Sequence, residues 1–69
     1  MELEAYDLEL ARENPNYAAS LIRMRESLAA DMESRAARSA QWPHMAAAVE
    51  RRLTEAAALR AQCAQLRAL

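Results

Sequence analysis

A catalytic centre in this chain would have to be assembled from one histidine, one cysteine and ten carboxylates. The thiol and imidazole come first, because a cysteine becomes an effective nucleophile when a base lies within hydrogen-bond reach. His44 and Cys63 fall near opposite ends of one helical stretch. At the standard rise they stand roughly 28 Å apart along its axis, too far to act as a pair within one chain. The acids are scattered and converge on no general acid or base partner. Cys63 reads as a small buried hydrophobe at a helix-core position, and His44, directly after Pro43, as an exposed side chain. A zinc site needs additional Cys or His ligands that the sequence does not supply. The expectation is a non-enzymatic chain with no catalytic residue, metal site or cofactor.

Binding chemistry is better represented. Glu50-Arg51-Arg52 and Arg23-Met24-Arg25 could contact phosphate, but acids lie close to both runs, and they read as solvated helix faces. The polar faces are mixed in sign, whereas a lipid surface selects a basic one. Trp42 offers two roles: packing over Met45 at the end of a hairpin, or anchoring a protein partner. Tyr6 and Tyr17, with apolar rings and polar tips, suit the edge of either a core or an interface.

The elements that must position these residues follow from two breakers. The chain has no glycine, and Pro15 and Pro43 divide it into three pieces of helical composition. In the first, about 2–13, Leu3, Tyr6 and Leu10 recur at helical spacing, and Glu2, Glu4, Asp7, Glu9 and Glu13 face only Arg12. Asn14 is suited to N-cap the second helix, with Pro15 at its first position. That helix, about 15–40, carries Leu21, Met24, Leu28 and Met32 on one line, with Ile22, Ala29 and Ala36 spaced by seven beside it. A turn is expected at Gln41-Trp42-Pro43, since the residue before proline is biased away from helical geometry. The third helix, about 43–68, is close to heptad, with Val49, Ala56 and Cys63 at one core position and Met45, Leu59 and Leu66 at the other. Two helices of similar length joined by a short turn predict an all-α antiparallel hairpin with a short N-terminal helix, in a single domain spanning 1–69.

Composition explains why such a hairpin would need company. The chain has 69 residues, no Phe and one Trp, and much of its 54% hydrophobic content is alanine. Apolar burial at roughly 25 cal/mol per Å², against roughly 1.5 kcal/mol of ordering entropy per residue, leaves so small a chain near zero net stability alone. A formal charge of −1, with nine basic residues that are all Arg and spread along the chain, excludes a general attraction to nucleic acid. Cys63, the lone cysteine, cannot form an internal disulfide, the first residues are acidic, and no run has the length of a membrane span. A cytoplasmic protein without membrane attachment is expected. A hairpin buries one stripe of each helix, leaving apolar residues over: Ile22, Ala29 and Ala36 on the second, and Ala46, Leu53, Ala57 and Ala64 on the third.

Several residues along this layout carry a family likeness. Leu3-Glu4 and Leu10-Ala11 lie near the start, and Leu21-Ile22-Arg23-Met24-Arg25 leads to Leu28-Ala29-Ala30. Arg35 and Arg38 precede a turn, Pro43 opens the last helix, and Leu53, Ala56, Leu59, Gln65 and Leu66 follow along it. In length and register the chain resembles the small co-chaperones of type III secretion needle subunits, the YscE/PscE-like family. The resemblance implies a cytoplasmic co-chaperone that binds a helical-repeat chaperone and, through it, a polymerisation-prone needle subunit held before export, without catalysis.

Two other readings fit the same pattern: a self-associating hairpin forming a four-helix homodimer, and a small regulator or inhibitor docking on another protein. For any of them, Leu3, Tyr6, Leu10, Ile22, Trp42 and Leu53 are the expected partner-binding residues. Met24, Leu28, Met32, Val49, Ala56, Leu59 and Cys63 are assigned to the seam between the long helices.

Overall fold

The computed structural model describes residues 3–69. It is an all-α chain: α1 spans Ala5–Glu13, α2 Pro15–Ser39 and α3 Ala46–Arg67, with a single 3-10 turn at Pro43–Met45 leading into α3. The two long helices pack antiparallel, and α1 lies against the start of α2. The molecule measures 46 × 17 × 15 Å, a rod little thicker than a helix pair. Glu2, where the first helix was expected to begin, lies outside the described residues.

Both boundaries form where the prolines stand. The Asn14 side-chain carbonyl accepts from the backbone N–H groups of Asn16, at 3.1 Å, and Tyr17, at 3.3 Å. Pro15 sits in the first turn, where no donor is required of it. At the other boundary Trp42 adopts an extended backbone conformation, as the residue before a proline prefers. Its N–H donates to the Ser39 carbonyl and its own carbonyl accepts from Met45, so the reversal is hydrogen-bonded on both sides.

The seam is rotated by about one residue position from the expected one. On α2 the buried side chains are Leu21, Ala29 and Ala36, while Met24 is 61% and Leu28 44% exposed. Met32 is half-buried against Ala29, Ala56 and Leu59. On α3 the expected set largely holds: Ala56, Leu59 and Cys63 are buried, joined by Leu66 and Gln62, and Val49 is half-buried. Packing accounts for the rotation. With Ala29 and Ala36 facing inward the two backbones approach closely; the larger Leu59 of α3 packs with Ala29 and Ala56, while Leu66 packs with Leu21 and Ala11 nearer α1. A seam of Met24 and Leu28 would set large side chains against Leu59 and hold the helices apart.

The same rotation brings Arg25 to the margin of the seam. Its Nε donates to the Gln62 side-chain carbonyl at 2.7 Å, and an Nη donates to the Leu21 carbonyl at 3.3 Å. Gln62, only 4% exposed, is thereby satisfied on its acceptor side, as a buried amide must be. The Cys63 thiol lies 3.7 Å from the Ile22 carbonyl, a weak donor contact within the core. Two ion pairs bridge the long helices: Arg60 grips Glu33 with two bonds of 2.6 and 2.8 Å, and Arg67 pairs with Glu26. Arg60 holds the Glu33 carboxyl below the usual carboxylate range, and its own guanidinium is raised in turn.

Candidate protein-binding surface

The apolar residues left outside the seam gather at the turn end. Trp42 and Pro43 from the turn, with Ala46, Val49, Leu53 and Ala57 from α3, line an open groove of about 530 Å³ that Ala40 borders from α2. Local geometry puts them together. Ala46, Leu53 and Ala57 lie on one flank of α3, and the extended backbone at Trp42 carries the indole beyond the end of α2. Trp42 is 48% and Leu53 49% exposed, large apolar areas to leave in water on so small a protein. Val49 serves both sides, contributing to the groove while half-buried against the seam. Of the two roles open to Trp42, covering the hairpin end accounts for only about half of its surface.

The expected binding residues divide between the two ends of the rod. Trp42 and Leu53 share the groove. Leu3 and Ile22 are partly buried and pack on the Ala11, Leu21 and Leu66 cluster beneath α1. Leu10 is half-buried, and Tyr6 is exposed on the outer side of α1. The six residues therefore do not form one continuous surface.

A smaller apolar patch lies on the opposite face, where Met24 and Leu28 stand outside Leu59, with Arg25 and Gln62 between them. Sequence reasoning assigned Met24 and Leu28 to the seam and so missed this patch. One signal pointed to it: Ile22, Ala29 and Ala36 recur every seven residues, the spacing of a competing inward stripe.

Polar chemistry at the α1 end holds that helix down. The Tyr17 hydroxyl donates to an Asp7 carboxylate oxygen at 2.7 Å. This bond to an anion, together with partial burial, raises the Tyr17 hydroxyl above its ordinary pKa. His44 is exposed beside the turn and Cys63 is buried in the seam. Among the described residues no cluster of three His, Cys, Asp or Glu side chains could hold a metal ion, and no helix is long and apolar enough to cross a membrane. No family model, curated protein or solved structure matches this chain.

Proposed function

We propose that the chain is a protein-binding co-chaperone: it docks through the Trp42 and Leu53 groove on a helical-repeat chaperone that holds a type III secretion needle subunit before export. The observation that carries this reading is the groove itself, in which the large apolar side chains Trp42 and Leu53 are left in water by a protein half of whose buried apolar residues are alanine. A partner that binds only the folded hairpin adds its binding free energy to a small intrinsic stability, so complex formation and folding reinforce each other. Helical-repeat proteins present concave, ridged surfaces. A rod 46 Å long and 17 Å wide with an apolar flank has the shape to lie in such a surface. The likeness in length and register to the YscE/PscE-like family names the class of partner.

Co-expression with a helical-repeat chaperone and a short helical subunit encoded beside it tests the proposal. The expected result is a stable complex that resists dilution and is lost on Leu53→Asp, with the helix content of the variant retained. A variant chain that still co-purifies in full, or wild-type chain that binds neither neighbour, would overturn it.

A further inference from the structure

The exposed flank of α3 has an order that binding a foreign partner does not require. Ala46, Leu53 and Arg60 recur at intervals of seven, and so do Glu50, Ala57 and Ala64, each four residues after a member of the first set. All six are exposed and share one flank of the helix. Reversing the helix exchanges the two sets. If a second α3 is laid antiparallel, with the two-fold axis near position 55, Ala46 meets Ala64, Leu53 meets Ala57, and Glu50 meets Arg60 of the second copy.

We propose that this flank is a self-recognition surface, through which two copies pair antiparallel along α3 with a two-fold axis. Three features of the structure favour a second copy over another occupant. The contacts are complementary in size, with a leucine over an alanine at the centre and alanine on alanine outside it, so the helices can approach closely. They are complementary in charge on both sides of the centre, since the Glu50 and Arg60 contact occurs twice in an isologous pair. Arg60 is also held in place: its Nε and one Nη engage Glu33 of its own chain, leaving a guanidinium with further donors for a second carboxylate. Glu50 makes no ion pair among the described residues. In the same register Trp42 comes opposite the last turn of the second copy, beside the exposed Leu69.

The seam with α2 lies on another side of α3, so pairing leaves each hairpin intact. A contact made by one flank of one helix per copy is small for a specific interface, and it makes the pair weak and exchangeable. The proposal goes beyond the co-chaperone reading. It predicts that the free chain shelters its groove in a homodimer, which a partner must displace.

Sedimentation equilibrium between about 1 and 200 µM, the range in which complexes of micromolar affinity dissociate, tests it with two variants. Wild-type chain should pass from monomer toward dimer across this range. Glu50→Arg, at an exposed and unpaired position, places arginine against arginine twice and should weaken association by about tenfold or more. Glu33→Gln/Arg60→Glu places glutamate against glutamate without like charges inside the chain, and should do the same. An equimolar mixture of the two variants restores both opposite-charge contacts and should recover dimer. Circular dichroism of each variant establishes that it is folded. Wild type that stays monomeric, Glu50→Arg that pairs as well as wild type, or a mixture of folded variants that fails to recover dimer would each overturn the proposal. None of these outcomes bears on capture of the chaperone, which is read separately through Leu53→Asp.

Discussion

At one end of the hairpin α1 lies against α2, and Leu3, Leu8, Tyr17 and Ile22 pack around buried Ala11, Leu21 and Leu66. At the other end no described element covers the turn, and Trp42, Val49 and Leu53 border an open groove. Both ends are built from the same two helices and the same kind of residue. The difference lies in what the chain provides as cover. Three aliphatic layers can close over one another only where a third helix is at hand. At the turn end a backbone reversal of a few residues brings one indole and one proline, which cannot enclose the flank of α3. The closed end holds the fold together, and the open end leaves large apolar side chains in water.

Truncating large side chains at the two ends should separate these roles most sharply. Leu66→Ala removes the residue shared by α1, α2 and α3, and at about 3 kcal/mol it should leave the isolated chain largely unfolded in urea titrations. Trp42→Ala, at the exposed end, should cost clearly less stability while weakening partner capture. Equal losses in the two variants would abolish the distinction.

Enlarging alanines gives the second contrast. Ala36→Leu pushes into a fully packed seam and should cost about 1–3 kcal/mol, whereas Ala57→Leu, on the open flank of α3, should leave the unfolding free energy of the dilute, monomeric chain within about 0.5 kcal/mol of wild type. If the helices could rotate to a Met24 and Leu28 seam, Ala36→Leu would be tolerated.

The cap between α1 and α2 comes next. Asn14→Ala removes the acceptor for two backbone donors and should cost about 1 kcal/mol, read as a lower thermal midpoint.

The attachment of α1 should be looser than the hairpin and separately removable. Tyr17→Phe deletes the bond to Asp7, and should speed amide hydrogen exchange in α1 while leaving the middle of α2 and α3 protected. Uniform acceleration along the chain would mean that α1 and the hairpin open together. The raised Tyr17 pKa gives the pH dependence its sign: the contribution is complete below the ordinary tyrosine range and is lost as pH rises through the folded value.

The smallest effect is expected from Glu33. Its folded pKa is depressed, so its ion pair contributes above the ordinary carboxylate range and that contribution is lost as pH falls through the folded value. The pair is exposed, and screening by salt should erase much of the effect. Wild type and Glu33→Gln should therefore converge in acid, with a gap at neutral pH that narrows in high salt.

Much of this architecture was legible in the residues themselves. Asn14 and Pro15 marked the start of α2, and Trp42 and Pro43 marked the reversal, because a cap and a ring-fixed backbone act locally. The spare flank of α3, with Ala46, Leu53, Ala57 and Ala64, was also readable from spacing. The expected partner-binding residues were harder to place. Leu3 and Ile22 look as apolar as Leu53, and only the position of α1 decides that they are partly covered while Leu53 is not.

The sequence by itself determined three helices, the boundaries at the two prolines and the antiparallel pairing, since propensity, capping and proline geometry are properties of neighbouring residues; α1 starts only at Ala5 and α3 only at Ala46, after a 3-10 turn. Only the tertiary structure decided which stripe of α2 faces inward. Counting hydrophobicity favours Met24 and Leu28, but close packing favours Ala29 and Ala36: Leu59 packs with Ala29, and the same rotation brings Arg25 to Gln62. On a helix this rich in alanine the stripes differ little in transfer free energy, so the fit against a particular partner helix sets the rotation.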